Sequence, residues 1–376
     1  MPAAVAVVRE SAAGERRVAV TPEVAKKLKS RGADVVLEHG AGASAYFADA
    51  AYAGCETTDA RSALARADVL LKVQAPSLEE IAALKEGAIV IAHLQPHLAP
   101  ERTRALRDRK ITAFAMELLP RTTRAQAMDV LSSQAAVAGY KAVLIAAEFA
   151  PKFFPMLTTA AGTIRPSKVL IVGAGVAGLQ AIATARRLGA QVEGFDVRPE
   201  TKEQIESLGA KFLDLGVSAA GSGGYARELT QEERDRQQQA LGEQLKLFDV
   251  VVTTAAVPGR KAPRIISAAM VAGMKPGAVI VDIAAESGGN VEITEAGKTV
   301  VSANGVSVIG TVNLPSSAPV HASEMYARNL YNFLELSLKD GALNLDWNDE
   351  LIAKTCVTHA GEIRNEAAKK LVEETP

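Results

Sequence analysis

The chain has 376 residues, and its 42 Lys and Arg against 43 Asp and Glu give a formal net charge of −1. This balance argues against a nucleic-acid-binding protein, which would carry a basic excess. With 48% hydrophobic and 23% charged residues, the composition is globular and excludes a disordered, collagen-like or coiled-coil chain. At about 150 residues per domain, we expect two or three domains.

The cysteines and histidines form no pattern that predicts a metal centre. Cys55 and Cys356 make no C-x-x-C pair, which is typical of a reducing compartment and argues against a cysteine metal site. His93 and His97 are four residues apart, but Pro96 between them argues against a helical metal pair. We therefore expect no bound metal.

Neither a signal peptide nor a membrane span is predicted. Met1 to Arg9 has no basic region followed by an apolar stretch. The longest uncharged stretch, Val169 to Ala185, contains three glycines and is better interpreted as strand, turn and helix than as a span of about 20 apolar residues. We expect a chain that is soluble by itself, which does not exclude docking onto a membrane partner.

Short apolar runs alternate with helical patterns in the first third of the chain. Pro22–Ser30 is predicted to be helical, with Thr21 as N-cap and Pro22 in the first turn. Such alternation is typical of βαβ units in a mostly parallel sheet. The predicted strands are Val5–Val8, Val35–Glu38, Val69–Val73, Ile89–Ala92 and Ile111–Ala115.

A long apolar-periodic helix is predicted from Gln126 to Ala150, and an amphipathic helix from Ser323 to Leu338. Between them the pattern predicts a second series of strands: Val169–Val172, Gln191–Phe195, Val250–Thr254, Val279–Ile283, Val300–Ser302 and Val306–Ile309. We predict an α/β protein with two Rossmann-like, doubly wound parallel-sheet domains, the second inserted into the first. The predicted domains are residues 1–126 with 315–376, and residues 127–314.

The strongest local motif is G-x-G-x-x-G, formed by Gly173, Gly175 and Gly178 between a predicted strand and a predicted helix. Gly173 would make the tight turn, Gly175 would let the backbone approach a pyrophosphate, and Gly178 would permit close helix–strand packing. The helix N-terminus would then present N–H groups to the phosphates. The motif predicts a dinucleotide site.

The next predicted strand ends at Asp196, 18 residues after Gly178. A carboxylate there would accept hydrogen bonds from the adenosine ribose and repel a 2′-phosphate, which favours NAD over NADP. Arg198 points the other way, since an arginine at this place can accommodate a 2′-phosphate.

Three further segments have both a structural and a functional interpretation. Residues 216–244 are rich in glycine and then very polar, which fits either a surface excursion or a lid over a ligand. Thr253 to Ala256 and Asp282 to Asn290 follow predicted strands and would lie where parallel sheets bind ligands, or serve only in strand-end packing.

The segment from Pro120 to Ser132 gathers polar side chains where the two predicted domains meet, and clefts commonly form at such places. Gln126 could orient a nicotinamide carboxamide, and an Arg–Asp pair could shape the loop. A capped helix N-terminus with a solvated charge pair explains the same spacing equally well.

These motifs together resemble the soluble NAD(H)-binding component of proton-translocating nicotinamide nucleotide transhydrogenase, over nearly the whole chain. The resemblance rests on the glycine motif with Asp196 to Arg198, the Arg121 to Ser132 loop, Gly223 to Tyr225, Pro276-Gly277 and Ser316 to Pro319. It implies direct hydride transfer from NADH to NADP⁺, with NADP(H) held by a partner subunit. It also implies a homodimer, attached through partners to a membrane proton channel at the cytoplasmic face.

The resemblance also implies roles for individual residues. Gln126 would lie near the nicotinamide rings, and Gly224, Tyr225 and Gln237 would belong to a mobile lid at about residues 216–240. The implied NAD(H)-binding set is Arg121, Thr122, Thr123, Arg124, Gln126, Asp129, Ser132, Gly173, Gly175, Val176, Gly178, Asp196, Val197, Arg198, Gly224, Tyr225, Gln237 and Ala256. Of these, Arg121, Gln126, Asp129 and Ser132 would shape the reacting centre.

The resemblance extends to alanine dehydrogenase, which is the alternative function. Arg17, Lys72 and His93 fall where that family has its substrate and catalytic groups, and Arg, Lys and His would suit an amino-acid site. Against it, Glu286-Ser287 stands where alanine dehydrogenases have Asp-Gln. A second alternative is an NAD sensor without catalysis.

Overall fold

The computed structural model describes residues 2–220, 227, 229–257 and 259–375, and these form two compact units. Unit 1 consists of Met1–Gln134 and Ser316–Pro376, and unit 2 of Ala135–Pro315. The predicted lid residues Gly224 and Tyr225 lie outside the described residues. The domain boundary predicted after residue 126 falls inside a 3₁₀ turn, Thr123–Met128.

The elements alternate as a βαβ arrangement requires. The first third of the chain contains β1 Ala4–Val7, α1 Pro22–Ser30, β2 Asp34–Glu38, β3 Glu56–Thr58, α2 Ala60–Arg66, β4 Val69–Gln74, α3 Leu78–Ala83, β5 Ile89–His93, α4 Pro100–Asp108, β6 Thr112–Ala115 and α5 Val130–Phe149. The middle of the chain contains β7 Leu157–Thr159, β8 Gly162–Ile164, β9 Lys168–Val172, α6 Val176–Arg187, β10 Gln191–Phe195, α7 Thr201–Ser207, β11 Lys211–Phe212, α8 Gln231–Leu245, β12 Val250–Thr253, α9 Ala268–Ala272, β13 Val279–Asp282, β14 Thr299–Val301 and β15 Ser307–Gly310. The C-terminal stretch contains α10 Pro319–Glu335, β16 Leu338–Lys339, β17 Ala342–Leu343, α11 Glu350–Thr355, β18 Cys356–His359, β19 Glu362–Ile363 and α12 Glu366–Glu374.

The sheet of unit 1 has the strand order β19-β18-β6-β5-β4-β1-β2-β3 in the described part of the chain. Strands β1 to β6 pair in parallel, whereas β18 and β19 pair antiparallel. In β1, Val5 and Val7 belong to one hydrophobic cluster while Ala6 belongs to the cluster on the other face. Both faces are therefore covered, which explains why the parallel strands are apolar at nearly every position.

The sheet of unit 2 has the order β11-β10-β9-β12-β13-β15-β14 among the described residues, and only β14 pairs antiparallel there. Val169 and Ile171 of β9 pack on one face, and Leu170 and Val172 on the other. The strand order reverses between β9 and β12, and this switch point is where doubly wound sheets bind ligands. The predicted fold class is confirmed.

Two predicted helices begin at other residues than the sequence suggested. The helix predicted from Gln126 begins at Val130, because the Asp129 carboxylate accepts a hydrogen bond from the Ser132 N–H at 2.9 Å and so caps the first turn. The helix predicted from Ser323 begins at Pro319, since a proline is readily accommodated in the first turn. Thr21 precedes α1 as predicted, but its side chain makes no capping hydrogen bond among the described residues.

Helix α5 is the one described helix that is long and apolar enough to cross a membrane by length and composition alone. Core helices of soluble proteins pass the same test, and Ala142, Val143 and Ala146 of α5 are fully buried in the core of unit 2. The membrane criterion is therefore weak evidence here.

Gly139 allows α5 to approach the start of α6 inside unit 2. A Cβ added to Gly139 would lie 2.0 Å from the carbonyl oxygen of Ala177. Because the obstructing atom belongs to the backbone, no change of rotamer could relieve the clash. This glycine therefore fixes the helix that opens after the glycine motif.

We predict that Gly139→Ala lowers the free energy of unfolding of unit 2 by about 1–3 kcal/mol through overpacking. Urea unfolding followed by circular dichroism measures the change. Gly242→Ala in α8 is the matched control, because its added methyl would meet only the flexible Met270 side chain, at 3.3 Å. This control should be neutral or gain up to about 1 kcal/mol from helix propensity. Equal effects of the two substitutions would contradict the packing argument.

Candidate functional site

The glycine motif forms a tight turn at the carboxyl end of β9, at the switch point of the unit 2 sheet. Gly173 has a φ of +97°, a conformation that side chains other than glycine rarely adopt. Its N–H donates to the Phe195 carbonyl at 2.8 Å, which ties the turn to the end of β10. The predicted task of Gly173 thus agrees with its backbone geometry.

Gly178 and Thr254 close the turn from the other side. A Cβ on Gly178 would lie 1.8 Å from the Gly173 carbonyl oxygen, so only glycine fits between the turn and the first turn of α6. The Thr254 hydroxyl, at the end of β12, donates to that same carbonyl at 3.1 Å. Sequence analysis identified the small residues after β12 but not this hydrogen bond.

The N-terminus of α6 is open to an anion. Gly175 is its N-cap, and a Cβ there would meet no described atom within 4 Å. No side chain among the described residues caps this helix end, and Val176 is exposed. The 12-residue helix therefore directs its first N–H groups and its partial positive charge toward accessible space, as pyrophosphate binding requires.

Asp196 lies beside the turn but is already fully engaged. Its carboxylate accepts from the Ala174 N–H at 2.7 Å and from the Arg198 N–H at 2.9 Å. The Arg198 guanidinium adds two more bonds, from Nε at 2.9 Å and from Nη2 at 2.7 Å. These four donors use the usual accepting capacity of a carboxylate, so a ribose hydroxyl would have to displace the guanidinium.

The charge of Asp196 is stabilised by these donors. Burial alone would raise its pKa, but the side chain of Arg198 and the N–H groups of Ala174 and Arg198 outweigh burial and lower it. The Arg198 side chain is 15% exposed and Asp196 8%, so the pair borders accessible space. The carboxylate is ionised at neutral pH and holds the glycine turn through Ala174.

The segments after β12 and β13 contact each other. Asn290 donates its side-chain amide to the Ala255 carbonyl at 2.7 Å, and Ala256 beyond it is exposed. Asp282 is fully buried and accepts a hydrogen bond from the Asn290 N–H at 2.8 Å. Both predicted strand-end segments are therefore parts of one hydrogen-bonded network.

The polar excursion is helical in its second half. Residues from Gln231 onward form α8, which begins with a capping box between Thr230 and Glu233. Gln237 lies in this helix and is buried, as are Leu241 and Leu245. The N-terminal half of the predicted lid includes residues outside the described ones, and its mobility stays a prediction.

The Arg121 to Ser132 loop belongs to unit 1 and is only partly engaged in the charge pair that we expected. Asp129 accepts both the N–H and the hydroxyl of Ser132, at 2.9 and 2.5 Å, and so acts as a helix cap. Arg124 pairs with Asp349 rather than with Asp129. Gln126 is exposed in the 3₁₀ turn. Its place near a nicotinamide stays a prediction, as do the roles of Arg121, Thr122 and Thr123.

The three residues of the alternative amino-acid site are not all available to a ligand. Arg17 is 6% exposed, and its Nε and Nη2 pair with Glu15 at 2.8 and 2.6 Å. Lys72 is fully buried, and its Nζ lies 2.7 Å from a Glu80 oxygen and 3.7 Å from Glu10. His93 is half-buried at the end of β5. No sequence pattern had identified these three glutamates as partners.

Burial shifts the ionisation of Glu10. Removal from water raises its pKa from the ordinary 4.5 to about 7, although Lys72 and the N–H groups of Val73 and Gln74 pull in the other direction. The same burial acts on Glu15, but there the hydrogen bonds and charge of Arg17 dominate and lower the pKa to about 2. Two neighbouring carboxyl groups thus titrate in different pH ranges.

Doubly wound sheets with a glycine turn at the switch point define a Rossmann-type α/β protein. The chain belongs to the alanine dehydrogenase/PNT family: the model of its N-terminal domain matches residues 6–138, and that of its C-terminal domain matches residues 142–366. The predicted family is confirmed.

Relatives of the chain include subunits of transhydrogenases. The chain is 46% identical over 373 residues to an NAD(P) transhydrogenase alpha subunit of Rhodospirillum rubrum, covering 96% of this chain and 97% of that protein. It is 44% identical to NAD(P) transhydrogenase subunit alpha of Haemophilus influenzae, covering 95% of this chain and 71% of that protein. An alanine dehydrogenase of Staphylococcus saprophyticus is 31% identical, over 84% of this chain and 82% of that one.

Solved structures give the same ranking. The crystal structure of transhydrogenase from Sinorhizobium meliloti superposes with a TM-score of 0.87 at 47% identity, covering 96% of this chain and 99% of that one. An L-alanine dehydrogenase structure superposes with a TM-score of 0.81 at 26% identity, covering 99% of both chains. Among these relatives, the chain is more similar to the transhydrogenases than to the alanine dehydrogenases.

Glu10 gives a pH-dependent prediction for the stability of unit 1. Between pH 4.5 and 7 the folded chain holds a proton on Glu10 that the unfolded chain releases, so stability falls as pH rises through this range. Glu10→Gln removes the titrating group. From pH 5 to pH 8, the wild type should lose on the order of 2 kcal/mol relative to this variant.

Urea unfolding at several pH values, followed by the fluorescence of the single tryptophan, measures this difference. The tryptophan, Trp347, belongs to unit 1 and so reports on the unit that contains Glu10. Identical pH dependence in wild type and variant would contradict the shifted pKa.

Proposed function

We propose that this chain is the NAD(H)-binding subunit of a proton-translocating transhydrogenase and catalyses direct hydride transfer from NADH to NADP⁺ held by a partner subunit. The observation that carries the proposal is the open N-terminus of α6 behind a glycine turn at the switch point. Its occurrence in a chain 46% identical to a transhydrogenase alpha subunit favours this activity over other uses of the fold. The protein would be both an oxidoreductase and a translocase, active only with its partners.

The residues around the turn suit an NAD(H) molecule. The exposed backbone of Gly175 and Val176 and the N–H groups of α6 would hold the pyrophosphate. Asp196, Val197 and Arg198 would hold the adenosine half, and Ala256 would border the other half. The dihydronicotinamide supplies the hydride, so no side chain of this chain need act as an acid or base.

The pairing of Asp196 with Arg198 supports NADH as the nucleotide. A ribose hydroxyl could replace one donor of the guanidinium at the carboxylate, whereas a 2′-phosphate would face the negative charge of Asp196. Arg198 could still pair with a phosphate if it left Asp196. The preference for NADH over NADPH is therefore a difference in affinity that can be measured directly.

The loop of unit 1 and the polar excursion would complete the reacting centre. We propose that Gln126 orients the nicotinamide, with the shape of its loop set by the Asp129 cap and by Arg121, Thr122, Thr123, Arg124 and Ser132. Gly224, Tyr225 and Gln237 would belong to a lid that excludes water during hydride transfer.

A homodimer is proposed from an exposed hairpin in unit 2. Strands β7 and β8 pair only with each other, and all six of their residues are exposed. Phe153, Met156 and Ile164 are 55%, 63% and 46% exposed nearby. A two-stranded hairpin is marginal in water, and clustered apolar exposure marks interaction sites, so a second copy would cover this surface.

The remaining partners follow from the proposed reaction. An NADP(H)-binding subunit and a membrane proton channel would complete the complex, as the words "subunit alpha" in the names of the transhydrogenase relatives suggest. This chain would then lie at the cytoplasmic face of the membrane, held by those subunits.

Alanine dehydrogenase activity is the less favoured function, because the side chains that it would need are buried and paired. Glu15 and Gln134 occupy three nitrogens of Arg17, and Glu80 occupies Lys72. Separating a buried cation from its carboxylate costs several kcal/mol, roughly 3–5. A substrate carboxylate would have to compensate for that cost.

We predict that the purified chain binds NADH, detected by NADH fluorescence, at least about tenfold more tightly than NADPH. With pyruvate and ammonium, it should not consume NADH at 340 nm. Adding the NADP(H)-binding and membrane subunits of a related transhydrogenase should then give hydride transfer to NADP⁺. Rapid NADH loss with pyruvate and ammonium would instead identify an alanine dehydrogenase, and binding without turnover with any partner would identify a sensor.

We further predict that Gln126→Asn slows hydride transfer in the reconstituted complex by about tenfold while the Kd for NADH changes less than twofold, because the shorter amide no longer reaches the nicotinamide. Stopped-flow transfer rates and NADH titrations provide the two measurements. The matched control is Gln231→Asn, an exposed glutamine in the first turn of α8. An unchanged transfer rate in Gln126→Asn would remove this residue from the mechanism.

A further inference from the structure

Asn290 is a fully buried amide beyond β13 that takes the place of a peptide group. Its Oδ1 accepts from the Ala255 N–H at 3.0 Å, and its Nδ2 donates to the Ala255 carbonyl at 2.7 Å. Nδ2 also donates to the Pro263 carbonyl at 2.9 Å. One side chain thus satisfies both polar groups of Ala255 and ties it to Pro263, as a neighbouring strand would.

Asp282, the last residue of β13, holds Asn290 in place. Its carboxylate accepts from the N–H groups of Asn290 and Val291 at 2.8 and 3.1 Å, and from the Thr294 hydroxyl at 2.7 Å. The Ala284 N–H binds the other oxygen at 3.0 Å. A buried carboxylate with four donors has a fixed orientation, and so has the residue that it holds.

Ala255 in turn stands against the glycine turn. Thr254, directly before it, donates its N–H to Val172 at 2.8 Å and its hydroxyl to Gly173 at 3.1 Å. A Cβ on Gly173 would lie 3.2 Å from the Ala255 nitrogen. The position of Ala255 therefore sets the wall of the switch point on the side of β12.

We propose that Asn290 is a positioning residue for the dinucleotide: by clamping Ala255, it places the residues from Thr254 to Ala256 for the half of the cofactor that lies beyond β12. This inference rests on the proposed NAD(H) function. In a doubly wound sheet, the two mononucleotide halves lie on either side of the switch point. The adenosine half would lie beside β10 and Asp196, so Asn290 acts on the nicotinamide half.

The amide is essential to this role because it both accepts and donates. Asn290→Asp keeps the size of the side chain but removes both donated hydrogen bonds, and it sets a carboxylate against the carbonyls of Ala255 and Pro263. Repulsion would drive the Ala255 segment away from its place. A carboxylate can still accept the Ala255 N–H, so the change acts on the clamp rather than on side-chain volume.

The test compares NADH with 5′-AMP, a probe of the adenosine half alone. In Asn290→Asp, the Kd for NADH should rise at least tenfold while the Kd for 5′-AMP changes less than twofold. Fluorescence titration gives the first value, and calorimetry gives the second. Equal weakening of both probes would assign Asn290 a merely structural role, and unchanged NADH affinity would remove it from the site; either result overturns the proposal.

Asn304→Asp is the matched control. Asn304 also donates its amide to backbone carbonyls, those of Val271, Ala272 and Met274 at 3.3, 3.1 and 3.1 Å. It lies before β15, at the opposite edge of the sheet from the glycine turn. This variant should lose stability but keep the wild-type Kd for NADH, and a tenfold rise in it would contradict a local effect.

Two further comparisons keep the outcomes separate. If Asn290→Asp does not fold, Asn290→Ala, which introduces no charge, takes its place with the same expected split between NADH and 5′-AMP. Wild-type protein that binds neither probe would reject the proposed function itself. Wild-type protein that binds NADH, with variants that bind it equally well, would reject only the role of Asn290.

Discussion

The close approach of backbones around the glycine turn is the constraint on which unit 2 depends. The first turn of α6 is held between the Gly173 carbonyl on one side and α5 on the other, and at each contact a single methyl group would collide with a carbonyl oxygen. Contacts between backbones cannot relax by a change of rotamer, so the direction of the first N–H groups of α6 is set by packing. Anion binding at a helix N-terminus depends on that direction, and packing and recognition are therefore the same requirement here.

The two units use buried charge in different ways. In unit 1, Arg17 and Lys72 are withdrawn from solvent and paired with carboxylates of their own unit, so their charges stabilise the fold rather than await a ligand. In unit 2, the Asp196–Arg198 pair borders accessible space and can exchange a partner at small cost. Hydride transfer between nicotinamides needs no protein acid or base, whereas amino-acid oxidation does. The distribution of available charge thus agrees with the greater similarity to transhydrogenases.

The sheets could be predicted from the sequence because their strands are buried on both faces and bounded by turn residues. Pro22–Ser30 matches the structure residue for residue, and the glycine motif and Asp196 are recognisable by their spacing. The predicted start of α5 is wrong because apolar periodicity continues before it, while the helix start is decided by the carboxylate cap of Asp129. Glu10 approaches Lys72 only when the sheet of unit 1 is assembled, and β18 and β19 add to β6 from the far end of the chain. Such partners are decided by topology, which local periodicity does not report.

Asn290 also explains how a buried negative charge can lie close to a phosphate-binding turn. A carboxylate that faced Ala255 directly would repel a pyrophosphate through the low dielectric of the interior. Asp282 instead directs its charge to four donors within its own loop, and only the neutral amide of Asn290 continues to Ala255. The network therefore transmits the rigidity of a carboxylate anchor without its field. A neutral amide between the two is the arrangement that a site for an anionic dinucleotide requires.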